Sequence, residues 1–234
     1  MNNELSFEVY LSISNKKYEI YLLDKKNLKN IYKEEIHIEN DTDLIDYTLL
    51  SNFLDQNIFK IEKLIGNFVK TIVVLIENKQ ILNFSIGIKK KSYGEKINKD
   101  YLESSLAELK DLFQESYQNN TIMHFIISKY LIDGINYTSF DQEIDANHIC
   151  VEVNFISVPN ILIKEISNVM EKYQIKINCL FEKKYIKNLF KGELLDESTI
   201  AFKVQSGYDQ NEISLVPKSG KKMRFFEKFF QLFS

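Results

Sequence analysis

The sequence has few glycines and prolines, seven and two among 234 residues, and it has no tryptophan. None of the glycines lies in a G-x-G arrangement, so the chain lacks the glycine-rich loop that cradles phosphate groups in many nucleotide-binding proteins. Its three histidines are isolated from one another and from the two cysteines, and no common metal-ligand spacing results. The sequence therefore predicts no cofactor and no metal site.

An excess of charge of one sign is also lacking. The 30 basic and 33 acidic residues give a net charge of −3, which predicts no nucleic-acid binding. The amino terminus has no signal sequence, and no window reaches the roughly 18 apolar residues of a transmembrane helix. Both cysteines lie inside apolar runs, as is typical of unpaired thiols in a reducing compartment. We therefore expect a cytoplasmic protein.

The last fourteen residues, 221–234, are rich in phenylalanine and in basic residues. If this segment is helical, its apolar side chains occupy one half of the helix and its polar side chains the other. The apolar half holds Met223, Phe225, Phe226, Phe229, Phe230, Leu232 and Phe233. The basic residues are Lys221, Lys222, Arg224 and Lys228. This pattern is typical of an amphipathic helix that lies in a membrane interface, although a terminal helix that packs on the protein core is the alternative.

The first part of the chain has the periodicity of strands and of one long helix. Alternating apolar residues over 5–13 and 18–23 predict a β-hairpin, and a third strand follows over 31–38. A helix capped by Asp41 or Thr42 is predicted to end at Gly66. Two further strands, over 71–76 and 82–88, are predicted to lie side by side.

The second part predicts a module of helix, two strands, helix and strand. These elements are expected over 98–116, 123–131, 149–158, a helix opened by Pro159, and 175–181. A short helix over 185–190 and a last strand over 199–204 follow. The whole is an α+β fold.

Two stretches of this module resemble the inserted subdomain of FtsA, the bacterial cell-division family with an actin-like ATPase fold. They are HFIISKYLIDG, His124–Gly134, and ICVEVNFISVPNILIKEISNVMEKYQIKINCLFE, Ile149–Glu182. The elements before them resemble, in their order, the amino-terminal subdomain of that family, and the terminal segment is similar to its membrane-targeting sequence. The resemblance implies an actin-type first subdomain over 1–95 and 183–204, an inserted SHS2-like subdomain over 96–182, a linker over 205–220 and a membrane-targeting helix over 221–234.

The chain departs from this family where the family binds ATP. The family's first hairpin carries a phosphate turn of the form D-I-G-T-x-K, whereas this chain has SISNKK over Ser12–Lys17. Without the glycine the backbone cannot approach a phosphate closely, and without the aspartate the bound cation loses its anchor. No residues are present for the family's second actin-like half. The resemblance thus implies an FtsA-like protein without an ATP site.

The resemblance implies a non-enzymatic scaffold of the division machinery on the inner face of the cytoplasmic membrane. Its expected partners are anionic lipid and other division proteins, with self-association left open. A direct contact with FtsZ is not expected, because FtsZ binds the second half in that family. The expected partner-binding residues are Asp133, Gly134, Tyr137 and Phe140.

Two alternative functions remain. The first is an actin-like cytoplasmic assembly component of a type IV pilus-type envelope machine. The second is an enzyme with an unrecognised site, although no Ser/His/Asp, Cys/His or paired-carboxylate arrangement stands at a familiar spacing.

Overall fold

The computed structural model describes residues 6–39, 44–137, 143–209 and 211–213. In chain order the elements are β1 (Phe7–Ile13), β2 (Lys17–Asp24), β3 (Lys29–His37), α1 (Tyr47–Ile65), β4 (Thr71–Ile76), β5 (Leu82–Lys91), α2 (Lys99–Ser116), β6 (Asn120–Ile132), β7 (Ile135–Tyr137), β8 (His148–Pro159), α3 (Asn160–Glu171), β9 (Lys176–Glu182), α4 (Lys183–Leu189) and α5 (Glu197–Gln205). They form two compact units: unit 1 from 1–81 and 159–209, and unit 2 from 82–158 and 210–234.

Unit 1 contains a five-stranded mixed sheet in the order β3-β2-β1-β4-β9. A tight turn joins β1 to β2, which forces these neighbours to run antiparallel, as do β2 and β3. By contrast, β4 is parallel to both β1 and β9, and these connections pass through helices. The carboxyl ends of β1, β4 and β9 therefore lie at the same edge of the sheet.

Helix α1 forms because its apolar residues recur on one face. The buried positions of this face are Leu50, Phe53, Leu54, Ile58 and Ile61. The helix begins after Asp46, whose side chain accepts a hydrogen bond from the Leu49 amide at 2.9 Å. It ends at Gly66, which adopts the left-handed conformation with φ of 66°. The predicted caps Asp41 and Thr42 are wrong, since the described helix starts at Tyr47 and both residues precede it outside the described part.

Helices α4 and α5 contribute to a second layer of unit 1. Their apolar side chains share a buried cluster with strands β1, β2, β4 and β9. The strand that the sequence predicts over 199–204 is wrong, because these residues lie within α5. Ile200, Ala201 and Val204 are all buried and follow helical spacing, which a short apolar run does not distinguish from strand spacing.

Unit 2 contains a four-stranded sheet in the order β5-β8-β6-β7 and the helix α2. The helix is capped by Asn98, which accepts from the Tyr101 amide at 3.0 Å. Its apolar stripe, Leu102, Leu106, Leu109 and Phe113, is buried in one cluster with side chains of β6 and β8.

The predicted boundaries of the inserted subdomain need correction. The sequence predicts this module over 96–182, with the strand over 82–88 beside β4. In the structure, β5 pairs instead with β8 in unit 2, through ten consecutive residues. Helix α3 and strand β9 belong to unit 1, because β9 pairs with β4 along its length. The inserted unit thus begins with β5 and ends with β8.

Candidate functional site

The carboxyl edge of the parallel strands is the first place to look for a site, since open sheets of this kind bind ligands there. Strand β1 is followed at this edge by Ser14, β4 by Glu77 and β9 by Lys183. The Glu77 amide donates to the carbonyl oxygen of Ile13 at 2.9 Å, which ties the ends of β1 and β4 together.

The β1–β2 turn uses its own backbone groups internally. The hydroxyl of Ser14 donates to the Lys17 carbonyl oxygen at 3.0 Å. The Ser14 hydroxyl oxygen in turn accepts from the amides of Lys16 and Lys17, at 3.4 and 3.2 Å. In a phosphate turn, amides of this kind point at the bound phosphate. Here the amides of Lys16 and Lys17 bond to a buried serine, so these two are not free to hold a phosphate.

A buried ionic network fills the space next to this turn. We call it the Lys183 cluster and define it by Ser12, Glu19, Lys183 and Glu197. The ammonium of Lys183 lies 2.8 Å from Glu197 Oε1 and 3.5 Å from Glu19 Oε2, and it donates to Ser12 Oγ at 3.0 Å. The side chains of Lys183, Glu19 and Glu197 are only 4%, 3% and 8% exposed. The cluster therefore lies inside the protein and not on an open surface.

Further groups contact the two carboxylates, although Glu197 Oε2 is buried without a hydrogen-bond partner among the described residues. Lys17 lies 2.8 Å from Glu19, and Lys187 lies 2.6 Å from Glu197. The hydroxyl of Tyr21 donates to Glu19 Oε1 at 2.8 Å. Burial raises the pKa of the Tyr21 phenol, together with the nearby Glu197 and Glu19, so it remains protonated and able to donate.

Both carboxyl groups of the cluster are ionised at neutral pH. Burial by itself raises the pKa of Glu19 and Glu197, but the surrounding lysines and hydroxyl groups outweigh burial. The pKa of each therefore lies below the ordinary value of 4.5. A general acid or base needs a pKa close to the working pH, and these carboxyls are shifted away from it. The arrangement is that of internal ion pairs.

Little in the sequence indicates this cluster. Glu19 gives a weak signal, because it is a charged residue inside a strand whose neighbours are apolar. Lys183 and Glu197 give none, since each begins a helix and such positions are usually exposed. Their partners lie more than 160 positions away in the chain for the Lys183–Glu19 and Lys183–Ser12 contacts, so local patterns do not indicate them.

The predicted partner-binding residues Asp133 and Gly134 form a tight turn between β6 and β7. Their φ angles are 46° and 84°, the pattern of a type I′ hairpin turn with the sequence Asp-Gly. The Asp133 carboxylate accepts from the amides of Asn147, at 2.9 Å, and His148, at 2.8 Å. These bonds lower the pKa of the Asp133 carboxyl group, and the bond from the Asn147 amide has the largest effect. Asp133 thus has a structural role, because it holds this hairpin against the start of β8.

The other predicted site residues are placed differently. Tyr137 is partly buried and packs against the apolar core of unit 2. Phe140 lies outside the described residues, as do all the predicted membrane-binding residues, Met223, Phe225, Phe226, Phe229, Phe230, Leu232, Phe233, Lys221, Lys222, Arg224 and Lys228. Partner binding and membrane binding stay predictions.

Two features of the described residues bear on cofactors and membranes. No group of three or more potential metal ligands occurs among them. No helix within the described ranges combines the length and apolar character needed to cross a membrane.

His124, which is fully buried, lies 2.5 Å from Glu212, so this histidine has a carboxylate partner.

No protein-family model matches the sequence, and no curated protein matches it. Among solved structures, the PilM–PilN type IV pilus biogenesis complex is similar at 8% identity, covering 79% of this chain and 50% of that chain with a TM-score of 0.48. The cytoplasmic domain of EpsL, an inner membrane component of the type II secretion system of Vibrio cholerae, is similar at 8% identity, covering 77% and 59% with a TM-score of 0.41.

A Bacteroides thetaiotaomicron protein with an actin-like ATPase fold and unknown function is similar at 15% identity, covering 81% and 58% with a TM-score of 0.36. The chain thus spans between 50% and 59% of the length of these three proteins. None of the three is named as a cell-division protein. At these identities and TM-scores the likeness assigns neither a family nor an activity.

Proposed function

We propose that this chain is a non-enzymatic adaptor of a bacterial envelope machine, with an actin-like first subdomain that does not bind nucleotide. The Lys183 cluster is the observation that carries the proposal, because its ammonium and carboxylate groups occupy the carboxyl edge of the parallel strands. The internally bonded turn at Ser14 supports it further. A protein of this kind acts through the surfaces that it offers to partners.

Two envelope machines are candidates for the adaptor. The first is a pilus- or secretion-type assembly, the kind of machine to which PilM–PilN and EpsL belong. The second is the division machinery, which the FtsA-like stretches His124–Gly134 and Ile149–Glu182 favour. The TM-scores of the PilM–PilN and EpsL structures are below 0.5, so these structures do not decide between the two machines. The position of the protein in the cell distinguishes them.

A fluorescent fusion at the amino terminus distinguishes these machines, because it leaves the carboxyl-terminal segment free. A band at mid-cell throughout constriction supports the division adaptor. Foci at the poles or along the envelope, which persist when division is blocked, support the pilus- or secretion-type component. A uniform cytosolic signal that is unchanged by removal of residues 221–234 would overturn the adaptor proposal.

We further propose that residues 221–234 attach the protein reversibly to the inner face of the membrane. The support is the sequence pattern, an aromatic face beside basic residues. Each basic residue near an anionic surface adds about 1 kcal/mol to binding. Changing Phe226 and Phe229 to Glu is expected to abolish co-sedimentation with anionic liposomes, while Lys228→Glu is expected to weaken it only for anionic vesicles.

The stability of the whole folded chain is the control for this experiment. If the segment is a membrane helix, the Phe226→Glu/Phe229→Glu variant keeps the unfolding midpoint of the parent protein. If the segment is instead the last helix of the core, the variant unfolds at a lower denaturant concentration, and the membrane proposal fails.

The loop after β7 is the proposed site for a protein partner, with Phe140 as its apolar residue. Because Asp133 holds the neighbouring hairpin, changing it would disturb the fold as well as any partner contact. Phe140→Ala is therefore the better variant. Loss of site-specific cross-links to partners in cells, with membrane attachment intact, is expected, and an unchanged set of cross-linked partners would exclude this loop.

A further inference from the structure

Strand β5 forms a long and regular edge of the sheet in unit 2. It pairs with β8 from Leu82, opposite Ser157, to Lys91, opposite His148, without a bulge. Within the part of the chain that the structure describes, β8 is its only strand neighbour. The other edge of β5, about 33 Å long at roughly 3.3 Å per residue, therefore pairs with no described strand. Such an edge is a template for pairing with another chain.

The backbone groups of this edge can be identified from the ladder. The Ser92 amide donates to the carbonyl oxygen of Asn147, the residue just before β8, at 3.0 Å. Because backbone groups alternate between the two sides of a strand, the odd-numbered residues of β5 direct theirs to the open edge. The carbonyl oxygen of Lys91 already accepts from the Tyr101 hydroxyl at 2.9 Å. The remaining outward groups belong to Asn83, Ser85, Gly87 and Lys89.

Over residues 82–88 the open edge of β5 lacks the usual protection against pairing. Edge strands are commonly protected by charged residues or bulges. Strand β3, an edge of unit 1, carries charged residues along its length, and its partner β2 shows a register shift at Leu22/Leu23. Strand β9, the opposite edge, has a register shift in its pairing with β4. In β5, by contrast, the exposed positions Asn83, Ser85 and Gly87 are small and uncharged.

The charge of β5 is confined to its last three residues and indicates what pairs with it. Lys90 turns toward α2 and lies 2.6 Å from Glu108. Lys89 and Lys91 are exposed, and neither forms an ion pair with a described residue. A strand with carboxylates opposite these two lysines would form ion pairs with them, because side chains directly opposite each other on paired strands interact.

The β5 strand of a second copy, paired edge to edge, does not provide those carboxylates. The sequence of β5, LNFSIGIKKK, contains no acidic residue. Parallel pairing of two β5 strands in register would place lysine beside lysine, and full antiparallel overlap would place the lysines beside Leu82, Asn83 and Phe84. Neither arrangement brings an opposite charge to Lys89 or Lys91 from the paired strand.

We infer that the open edge of β5 binds an extended strand of a partner protein that carries carboxylates opposite Lys89 and Lys91. The main-chain bonds to the odd-numbered residues provide affinity, and the two lysines determine register and selectivity. This inference rests on the proposed adaptor function and names the chemistry of one partner. It is distinct from the predicted contact at Phe140.

Selection of short random peptides by the purified full chain tests the inference without knowledge of the natural partner. The peptides that bind are expected to alternate in polarity and to carry Asp or Glu near one end. Ser85→Pro removes one outward amide and leaves the backbone hydrogen bonds to β8 in place. It is therefore expected to lower the affinity for these peptides by about tenfold or more. Ser85→Ala, which keeps the amide and loses only the hydroxyl, is expected to bind as the parent does.

The charge variants test the second half of the inference. Changing both Lys89 and Lys91 to Glu is expected to lower the affinity for the acidic peptides by about tenfold or more. The same change at Lys60 and Lys63, which are exposed on α1 in unit 1, is the matched control and is expected to have no effect.

Hydrogen exchange on the parent protein provides a measurement that needs no variant. Peptide binding is expected to slow exchange at the amides of Asn83, Ser85, Gly87 and Lys89. The inference is overturned if no acidic peptide is selected, if selected peptides bind the Ser85→Pro and lysine variants unchanged, or if protection occurs elsewhere. A dimer of the free chain that Ser85→Pro dissociates would also overturn it. A negative result here leaves the nucleotide and localisation experiments unaffected, so the two proposals fail separately.

Discussion

The two units fill the space beside their sheets with different kinds of side chain. In unit 1 the buried cluster next to α4 and α5 includes ionised groups, Glu19, Glu197 and Lys183. In unit 2 the buried hydrophobic cluster is rich in aromatic rings, and His124 is buried in the same unit. Phe155 lies in the middle of the cluster: its ring centroid lies 4.6 Å from that of Phe125 and 4.9 Å from that of Phe113. Among the described residues, every carboxylate that is buried belongs to unit 1.

This difference implies that the units respond to different perturbations. Aromatic rings stabilise by volume and apolar contact, so a loss of volume weakens unit 2 at any pH. Buried ion pairs require that each charge keeps its partner, so unit 1 is sensitive to the removal of one charge and to acid. The comparison can be tested in each unit by residue-resolved hydrogen exchange under denaturant.

The largest expected effect in unit 2 is that of Phe155→Ala. The change leaves a cavity between the rings of Phe113 and Phe125 and is expected to cost about 3–5 kcal/mol. Residue-resolved exchange in denaturant would show the loss in unit 2, with β1 and β4 keeping their protection. Phe155→Leu, which keeps most of the volume, is the control and is expected to cost less. A similar loss in both units would contradict their separate stability.

An effect of similar size is expected in unit 1 for Lys183→Met. It leaves the carboxylates of Glu19 and Glu197 buried without their shared ammonium, and only the more exposed Lys17 and Lys187 stay beside them. Removal of one partner from a buried ion pair costs about 3–5 kcal/mol, which is the upper bound expected here. Combining it with Glu19→Gln and Glu197→Gln removes the two buried carboxylate charges and is expected to recover part of the loss. Urea unfolding of the three proteins measures this. A single variant as stable as the parent would show that the cluster is not a structural ion-pair network.

A smaller effect is expected from pH, and again in unit 1. Because the folded pKa values of Glu19 and Glu197 lie below the ordinary value of 4.5, their ionisation stabilises the fold fully above that pH. The stabilisation is lost as pH falls through the lowered values. Unfolding free energies at neutral pH and at about pH 3.5 should therefore differ more for the parent than for the triple variant without the charges. Equal acid sensitivity in the two proteins would contradict this assignment.

The smallest effects are expected at the helix caps, which provide a matched pair between the units. Asp46→Ala removes the acceptor for the Leu49 amide in unit 1, and Asn98→Ala removes that for the Tyr101 amide in unit 2. Each is expected to cost about 1 kcal/mol. If the units unfold independently, amide hydrogen exchange becomes faster only in the unit that carries the substitution. Equal quickening in both after either change would indicate one cooperative body.

Much of the local structure was predictable from the sequence because it depends on neighbouring residues. The hairpin of β1 and β2, helix α1 and the β-branched run of β4 all follow from periodicity and are confirmed in type. The boundary of the inserted unit was not predictable in the same way. It depends on β5 pairing with β8 and β9 with β4, and a strand's sequence does not say which distant strand lies next to it.

The candidate site was predicted only in its negative half. The serines at positions 12 and 14 predict that the phosphate turn is missing, and the structure shows which contacts these serines make. The contacts of Lys183 with Glu19 and Glu197 join distant parts of the chain, so no local motif predicts them. The Asp133–Gly134 dipeptide predicts a turn correctly, but the bonds from Asp133 to Asn147 and His148 depend on where β8 begins.

Titration calorimetry with Mg·ATP and with ADP tests the central claim most directly, because the claim is that the chain's own ions occupy the edge where nucleotide would bind. The full chain at neutral pH is expected to give no binding heat with either nucleotide. The triple variant Lys183→Met/Glu19→Gln/Glu197→Gln is expected to give none as well, since the amides of Lys16 and Lys17 still bond to Ser14. Saturable micromolar binding of either nucleotide by the parent protein would contradict the account.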